Sequence, residues 1–336
     1  MSTKTILVIT DNTPDQINGV VTTFQNLEKH AAADGYRISY IHPGMFPNIN
    51  CPGYPEVKLA WPWGVGKRIE QVNADHVHIA TEGPLGLWAN VWCWRKGLRF
   101  NTSYHTKFPE FLHSLWRIPT RWTYAYLRWF HNHSGRVLTT TSTMVKELYD
   151  HGFRGDIRAW TRGVDPAIFH PVHRMQSSAP KRKNLLCVSR LSKEKGLDDF
   201  CSLNIPNTDK ILVGDGPCRA ELEKKYPDVQ FVGYRTGSDL AWFYSNADVF
   251  VFPSKTDTFG VVIIEALASG TPVAGYPVPG PVDIIEPGVD GIMHDDLAEA
   301  VARCFNIDRD RVARSGAKWT WGNCWNIFRD NLVDKA

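Results

Sequence analysis

The stretch that decides the fold is Asp248-Val-Phe-Val-Phe-Pro-Ser-Lys-Thr-Asp257-Thr-Phe-Gly260-Val-Val-Ile-Ile-Glu265-Ala-Leu-Ala-Ser-Gly270. Its first residues form a short apolar run bounded by turn residues, which is typical of a buried parallel strand. A polar loop follows. The apolar spacing then predicts a helix that starts near Thr258, with Asp257 or Thr258 as N-cap, and that ends at Gly270.

The two acids of this stretch point to a ligand. Asp257 and Glu265 are eight residues apart, a little over two turns at about 3.6 residues per turn, so both carboxylates can face one side. Free amides at the helix start, from Thr258 to Gly260, can donate hydrogen bonds to a sugar or phosphate. An ordinary strand-to-helix joint with one capping acid is the alternative that this stretch alone leaves open.

Length and composition predict two cytoplasmic domains. The chain has 336 residues, 43% of them hydrophobic, which is enough for two cores. Its formal net charge of +3 does not require a nucleic-acid partner. No apolar run approaches the roughly 20 residues of a membrane span, and Met1-Ser-Thr-Lys4 leads into a strand rather than a signal peptide. Seven scattered cysteines lack a Cys-x-x-Cys pair, so no zinc site or disulfide framework is indicated.

The first half alternates strands and helices. Thr5–Thr10 is a predicted strand, followed by a loop that ends at Gly19 and a helix from about Val20 to Asp34. Gly19 allows a ligand to approach the backbone closely. Because neither Gly-x-Gly-x-x-Gly nor a phosphate-binding Gly-x-x-x-x-Gly-Lys loop is present, NAD and ATP are not favoured.

Further predicted strands are Arg37–Ile41, Val57–Ala60 and Ala74–Ala80. This alternation predicts a doubly wound parallel sheet, whose ligands bind beyond the carboxyl ends of the strands. Three residues follow predicted strands and are expected at that edge: Glu82, Gly83 and His105. His76 and His78, which alternate with apolar residues, are predicted to be packed imidazoles rather than metal ligands.

Aromatic and basic residues interleave between residues 88 and 136. They are Trp88, Trp92, Trp94, Arg95, Lys96, Arg99, Trp116, Arg117, Arg121, Trp122, Tyr126, Arg128 and Trp129. Such a surface suits anionic lipid headgroups or single-stranded nucleic acid. The alternative is that the tryptophans are core and the arginines a solvated helix face.

The second half repeats the alternation after a linker at residues 173–183. Asn184–Ser189 is the first predicted strand of a second sheet, and Arg190 and Lys195 lie on the loop after it. Two fixed cations near a helix start can neutralise a diphosphate without a metal ion. Solvated basic residues on a loop are the alternative.

Several motifs together resemble the retaining glycosyltransferases of family 4, over nearly the whole length. They are Asn18-Gly19-Val20-Val21, Thr81-Glu-Gly-Pro-Leu-Gly86, Ser103-Tyr-His105-Thr-Lys-Phe-Pro-Glu110, Arg162-Gly-Val-Asp165, Phe169-His-Pro171, Ser189-Arg190-Leu191, Lys195-Gly196, Gly214-Asp-Gly-Pro217 and the pair Asp257 and Glu265. The chain is most similar to the group that passes mannose, glucose or sulfoquinovose to lipid acceptors. The family pattern has glutamate where this chain has Asp257, which is one methylene shorter.

The resemblance implies the α/β GT-B fold, in which two Rossmann-like doubly wound parallel-sheet domains face a central cleft. The implied domains are 1–172 for the acceptor and 184–315 for the nucleotide sugar. A terminal helix within residues 316–336 would cross back to the first domain. No cofactor and no metal are implied, and the donor substrate would be a UDP- or GDP-sugar.

The resemblance also implies a role for each matching residue. Arg190 and Lys195 would hold the donor diphosphate, Glu265 the ribose, and Asp257 the sugar. The backbone of Thr258, Phe259, Gly260 and Val261 would also contact the sugar, and Gly19 would give an amide to the phosphate. The base would lie near Val232, Gly233 and Tyr234. His105 would lie near the anomeric carbon, and the acceptor side would include Asn18, Glu82, Glu110 and Arg162.

Three alternative functions are consistent with these residues and with the resemblance. The first is transfer of a hexosyl group to a lipid or lipid-linked acceptor by a monomer or weak dimer, at the inner face of the membrane. The second is the same chemistry on another acceptor, such as a hydroxymethylated DNA base or a small metabolite. The third is a non-catalytic sugar-nucleotide-binding module, which the presence of Arg190, Lys195 and Glu265 disfavours.

Overall fold

The computed structural model describes residues 3–16, 18–51, 54–173 and 182–335. The chain divides into two compact units: unit 1 is Met1–Thr161 with Trp321–Ala336, and unit 2 is Arg162–Thr320. Residues 162–172 and 316–320, which the sequence assigned to the first domain and the terminal helix, therefore group with unit 2. Residues 174–181 of the predicted linker lie outside the described residues.

Unit 1 is built on a parallel sheet with helices between its strands. Its elements before residue 162 are β1 (Lys4–Ile9), α1 (Gly19–Ala33), β2 (Tyr36–Ile41), β3 (Asn48–Cys51), β4 (Tyr54–Ala60), α2 (Val65–Val72), β5 (His76–Ile79), α3 (Pro84–Arg95), β6 (Asn101–Tyr104), α4 (Phe108–Trp116), α5 (Thr120–Asn132), β7 (Arg136–Thr139), α6 (Ser142–Asp150) and β8 (Ile157–Ala159). The strand order is β2-β1-β5-β6-β7-β8, and every neighbouring pair is parallel. The predicted doubly wound sheet is confirmed.

Strand β1 shows why an apolar run becomes a central strand. Residues Ile6–Ile9 have no solvent exposure, because helices cover both faces of a parallel sheet.

The two histidines of β5 are also buried: the His78 ring lies 2.7 Å from the Ser103 hydroxyl, and His76 lies 3.0 Å from the Val333 carbonyl. Their prediction as packed imidazoles is confirmed.

The sequence missed one hairpin. β3 and β4 pair antiparallel, with Asn48 opposite Ala60 and Ile49 opposite Leu59, whereas the sequence predicted only a short strand at Val57–Ala60. The segment Asn48-Ile-Asn-Cys51 has little apolar character, so its residues carry no strand signal. Pairing with β4 makes it a strand.

Unit 2 repeats the architecture. Its elements are β9 (Lys183–Val188), α7 (Leu197–Cys201), β10 (Thr208–Val213), α8 (Arg219–Lys225), β11 (Val229–Gly233), α9 (Gly237–Asn246), β12 (Val249–Phe252), α10 (Val261–Ala268), β13 (Val273–Gly275), α11 (Pro281–Ile284), β14 (Gly291–Met293), α12 (Leu297–Cys304) and α13 (Arg309–Gly316). The order β11-β10-β9-β12-β13-β14 is that of a dinucleotide-binding sheet, and it reverses direction between β9 and β12. Ligands of such sheets bind at that reversal, beyond the carboxyl ends of the strands.

The helix of the deciding stretch starts later than predicted. α10 begins at Val261, and its N-cap is Gly260 rather than Asp257 or Thr258. Gly260 has a φ of +86°, and a Cβ there would lie 3.0 Å from the Phe252 ring. Because this left-handed geometry cannot continue a helix, the loop extends to Gly260 and the helix starts after it.

The final helix, α14 (Trp321–Asp330), belongs to unit 1. It packs beside α1, and the Trp325 indole and the Arg329 guanidinium both donate to the Asp34 carboxylate, at 2.7 and 2.6 Å. The Trp160 indole donates to the Cys324 carbonyl at 3.1 Å. Hydrogen bonds as well as apolar packing therefore fix this helix.

Candidate active site

The loops after β9 and β12 meet at the reversal point of unit 2. Lys195 on the first loop donates to Asp257 on the second, with 2.6 Å between Nζ and Oδ1. About a quarter of each side chain is exposed. The structure thus brings together two residues that the sequence had singled out separately, and it places a cation and a carboxylate where a ligand would bind.

Backbone contacts hold these two loops close. Gly196 has a φ of +64°, and a Cβ at this position would lie only 2.7 Å from the Pro253 carbonyl oxygen. The Thr256 hydroxyl donates to the Glu194 carbonyl at 3.2 Å. Only glycine permits this approach without displacing the neighbouring backbone.

The Gly214-Asp-Gly-Pro217 motif supports the β9 loop from the other side. A Cβ on Gly214 would lie 1.9 Å from the Ser189 carbonyl oxygen. The Leu191 amide donates to the Asp215 carbonyl, and the Cys218 amide donates to the Leu191 carbonyl, each at 2.9 Å. The motif therefore shapes the loop that carries Arg190, whose side chain is exposed.

Glu265 lies on α10 beside a buried tyrosine that the sequence did not single out. The Tyr244 hydroxyl donates to Glu265 Oε2 at 2.8 Å. Burial raises the pKa of Glu265 to about 7, and the hydrogen bond from Tyr244 opposes that rise. An acid that titrates near neutrality, close to a ligand-binding edge, is a candidate functional group.

The start of α10 presents backbone amides without a side-chain cap. The preceding side chains are buried: Thr258 and Phe259 are at most 7% exposed, and the Phe259 ring packs edge-on against Trp319 at 5.7 Å. These side chains anchor the loop, so the residues predicted to contact a sugar can do so only through backbone or through Asp257.

The residues predicted to hold the base lie at the end of β11. Val232 and Gly233 are the last residues of this edge strand, and Tyr234 follows with about half of its surface exposed. Gly233 has a φ of +75°. β10 separates this position from the β9 loop.

In unit 1, the predicted residue Asn18 caps a helix. Its side-chain oxygen accepts from the Val20 and Val21 amides, each at 3.0 Å. Gly19 opens α1, and a Cβ there would have no heavy atom within 4 Å. The space beside Gly19 is therefore open to a ligand, while two of the neighbouring amides are occupied by Asn18.

Asp11, which the sequence did not identify as a site residue, lies on the loop after β1, as Lys195 lies on the loop after β9. Its carboxylate accepts from the Leu85 and Gly86 amides at 2.8 and 3.4 Å and from the Thr81 hydroxyl at 2.7 Å. Burial raises its pKa to about 6, against the effect of these hydrogen bonds. Leu85 and Gly86 are in the first turn of α3. The Asp11 carboxylate therefore occupies the start of α3 and leaves no room for another anion.

The predicted acceptor residue Glu82 is held by a buried histidine. His131 Nε2 lies 3.3 Å from Glu82 Oε1, and His131 Nδ1 lies 2.9 Å from the Thr102 hydroxyl. The Tyr126 hydroxyl donates to the Glu82 carbonyl at 2.6 Å. These contacts fix the loop after β5 at the carboxyl edge of the sheet.

The other predicted residues fall at different places. His105 follows β6, with its ring 5.7 Å from the Trp160 ring. Glu110, in the first turn of α4, accepts from the Tyr124 hydroxyl at 2.8 Å. Arg162 is 5% exposed and belongs to unit 2, whereas Asn18, Glu82 and Glu110 belong to unit 1.

Unit 1 carries an exposed aromatic surface around α3. Trp88 and Trp94 project from this helix into solvent, and Trp63, the most exposed of them at 79%, stacks on Trp88 with ring centroids 6.5 Å apart. Trp92 packs against α2, where a Cβ on Gly66 would lie 2.2 Å from its indole. A cavity of about 260 Å³ is lined by Pro62, Trp63, Gly64, Val65, Gly66, Lys67, Trp88 and Trp92. Trp61 and Trp63 precede the predicted aromatic stretch and were not among its predicted residues. The side chain of Trp116 lies outside the described part of the structure.

Within the described ranges, no group of three or more histidine, cysteine, aspartate or glutamate side chains is arranged to hold a metal ion. No helix in the same part of the chain has both the length and the apolar character needed to cross a bilayer.

Comparisons with known proteins agree with this architecture. Residues 17–168 match the profile "Glycosyltransferase Family 4", and residues 182–306 match "Glycosyl transferases group 1". A GDP-mannose-dependent alpha-mannosyltransferase of Mycobacterium tuberculosis is 30% identical over 89% of this chain and 81% of its own length. An alpha-monoglucosyldiacylglycerol synthase of Streptococcus pneumoniae is 25% identical over 88% of this chain and 76% of its own length.

The solved structure of a sucrose-phosphate synthase from Thermosynechococcus elongatus has a similar fold. Its TM-score is 0.78 at 20% sequence identity, and the match covers 97% of this chain and 98% of that one. Both units thus have the Rossmann-like sheets of GT-B enzymes. With the two profiles and the mannosyltransferase relative, the conclusion is that this chain is a glycosyltransferase of family 4.

Proposed function

We propose that this enzyme transfers a hexosyl group from GDP-mannose or a UDP-hexose to a hydroxyl of a lipid or lipid-linked acceptor, at the cytoplasmic face of the membrane. The anomeric configuration is retained and no metal ion is required. The main support for this proposal is the contact between Lys195 and Asp257 at the reversal point of unit 2, next to the start of α10, which has no side-chain cap.

Charge supports the placement of the donor in unit 2. The diphosphate carries the negative charge of the donor, and that charge grows on the departing phosphate as the anomeric bond breaks. Arg190, Lys195 and the free amides at the start of α10 are fixed positive groups that stabilise it. Two cations and a helix start supply what a divalent ion would otherwise provide.

The reaction proceeds on one face of the sugar. The acceptor oxygen bonds to the anomeric carbon on the side from which the diphosphate leaves, so the configuration is retained. The departing phosphate oxygen takes the proton of the acceptor hydroxyl, and the nucleoside diphosphate is released. Lys195 stabilises the charge of the departing phosphate and transfers no proton itself. Asp257 is left to accept hydrogen bonds from sugar hydroxyls.

The relatives and the aromatic surface of unit 1 support a lipid acceptor. The relative from Streptococcus pneumoniae is named for a glucosyldiacylglycerol product. Helix α3 has no acidic residue, and on its exposed face it carries Trp88 and Trp94. Tryptophan is favoured at membrane interfaces, where its ring meets acyl chains and its N–H meets headgroups.

Exposed cations lie on α2, at the end of α3 and just after α3. They are Lys67, Arg68, Arg95, Lys96 and Arg99. Near them Glu70 is exposed but forms an ion pair with Lys96 at 3.4 Å. Each cation near an anionic bilayer adds roughly 1 kcal/mol of attraction. The apolar cavity between Trp63 and Trp88 has room for part of an acyl chain.

The chemistry is tested by incubating the purified full-length protein with GDP-mannose or UDP-hexoses and with vesicles that contain diacylglycerol and phosphatidylinositol. We expect a glycolipid in mass spectra, an α-anomeric coupling in its NMR spectrum and unchanged turnover in EDTA. Failure to transfer or hydrolyse any donor would refute the proposal. If the enzyme glycosylated hydroxymethylated DNA but none of the lipids, DNA would replace lipid as the proposed acceptor.

Membrane docking is tested by co-sedimentation with vesicles rich in anionic lipid. Trp63→Ala together with Trp88→Ala should reduce the bound fraction at least tenfold and leave hydrolysis of a soluble donor unchanged. Trp242→Ala is the matched control, because Trp242 is also exposed but lies on unit 2. Equal binding of all three proteins would contradict the assignment of this surface.

A further inference from the structure

We propose that Tyr244 is the positioning residue that fixes the Glu265 carboxylate for recognition of the donor ribose, so that Tyr244 sets the affinity for ribonucleoside diphosphates and the preference for ribose over a sugar without hydroxyls. This inference rests on the proposed function, because it takes Glu265 as the ribose contact.

The hydrogen bond is the first observation. Tyr244 Oη lies 2.8 Å from Glu265 Oε2, and in the described part of the chain no other side chain donates to this carboxylate. One oxygen is therefore held by the phenol and the other remains an acceptor. An ionised carboxylate that accepts from a vicinal diol makes charge-assisted bonds, about twice as strong as neutral ones.

The rigidity of the phenol is the second observation. Tyr244 has no solvent exposure and lies between the rings of Phe250 and Phe169, at centroid distances of 5.4 and 5.9 Å. Its backbone carbonyl accepts from the Thr271 hydroxyl at 2.5 Å. The ring is thus held by α9, by β12 and by the loop after α10, and it can impose one orientation on the carboxylate.

Titration adds an independent readout. Burial raises the pKa of Glu265 to about 7, and the Tyr244 bond lowers it from the value that burial alone would give. The ionisable groups that face this pair are few: the Cys187 thiol of β9 interacts with Tyr244, and burial raises the thiol pKa far above neutrality, so it stays uncharged. Loss of the phenol should therefore move the ionisation of Glu265 to higher pH.

The experiment compares the wild-type protein with Tyr244→Phe, with titration calorimetry of GDP, UDP and 2′,3′-dideoxyguanosine diphosphate from pH 6.5 to 9. Tyr244→Phe should bind GDP about tenfold more weakly at pH 7.5. It should recover part of that affinity at pH 9 and discriminate less between GDP and the dideoxy nucleotide. Tyr226→Phe is the matched control, because it also removes a phenol that donates to a carboxylate, that of Asp198.

Glu265→Gln provides a second test if Tyr244→Phe does not fold. An amide does not titrate, so the pH dependence of GDP affinity near pH 7 should disappear in this variant. Equal affinities, pH profiles and ribose preferences in wild type and Tyr244→Phe would overturn the inference while the proposed function stands. A wild-type protein that binds neither GDP nor UDP would overturn the proposed function itself.

Discussion

In unit 1 the first amides of α3 are occupied by the Asp11 carboxylate, whereas in unit 2 the first amides of α10 follow Gly260 and carry no side-chain cap. Both helices follow strands next to the reversal of a parallel sheet. The same position is therefore closed by a built-in anion in one unit and left available in the other.

This difference concerns where an anionic ligand can bind. A helix start favours a single negative group, since its positive potential falls off within the first turn. Asp11 fills that place in unit 1. Unit 2 instead has Lys195 beside Asp257 and leaves the start of α10 without a side-chain cap, which supports the proposal that unit 2 binds the donor phosphates.

The largest expected effect is that of Lys195→Ala on transfer. If Lys195 meets the developing phosphate charge, as proposed, its removal should lower kcat by a factor of about 100 to 1,000. Lys225→Ala is the matched control, because Lys225 also pairs with a carboxylate, Asp198 at 2.6 Å, but lies on α8. Steady-state rates with both variants folded measure the effect, and a Lys195→Ala enzyme as fast as the control would place the phosphates elsewhere.

The sequence predicted the sheets and most residues of the candidate site, but not the bonds between them. Lys195 and Asp257 were both named, yet their contact joins two loops that are 62 residues apart. Asp11 lies 74 residues from Leu85, and no local pattern links a loop aspartate to a distant helix start. Tyr244 was missed for the same reason, since a phenol in a helix gives no signal until its partner on α10 is known.

Two further features were missed because they depend on contacts that form only in the folded chain. The start of α10 was placed too early because Asp257 and Thr258 are good N-caps by residue type. The left-handed conformation of Gly260, packed against the Phe252 ring, is visible only in the folded structure. The exposed pair Trp63 and Trp88 joins a loop to α3, so spacing along one helix could not reveal it.

The next effect concerns pH and Glu265. Its folded pKa of about 7 lies above the ordinary value of 4.5, so its contribution to stability is fully present below pH 4.5 and is lost as pH rises through 7. The shift corresponds to at most about 3 kcal/mol of unfolding free energy between pH 5 and pH 8. Urea unfolding at pH 5 and pH 8 should show a smaller decrease in the free energy of unfolding for Glu265→Gln than for wild type. Equal decreases in the two proteins would mean that ionisation of Glu265 does not destabilise the fold.

Thr81→Val tests the closed helix start of unit 1. The Thr81 hydroxyl donates to the Asp11 carboxylate and accepts from the Asp11 amide, both at 2.7 Å. Loss of these bonds should destabilise the protein by about 2 kcal/mol. Since this hydroxyl lowers the Asp11 pKa, the loss should be larger at pH 8 than at pH 5. GDP affinity should not change, because the proposed phosphate site lies in unit 2; a matching loss of affinity would contradict that proposal.

The last comparison concerns the glycines at the starts of α10 and α1, and Gly19→Ala has the smallest expected effect. Gly260→Ala forces a left-handed alanine and a Cβ 3.0 Å from the Phe252 ring, so the free energy of unfolding should fall by about 1 to 3 kcal/mol. Gly19→Ala meets open space and a helical backbone, so its stability should stay within about 0.5 kcal/mol of wild type. If transfer nevertheless slows in Gly19→Ala, the open space beside α1 is occupied during the reaction. If transfer is unaffected, Gly19 makes no close contact with a substrate, and phosphate recognition rests on unit 2 alone.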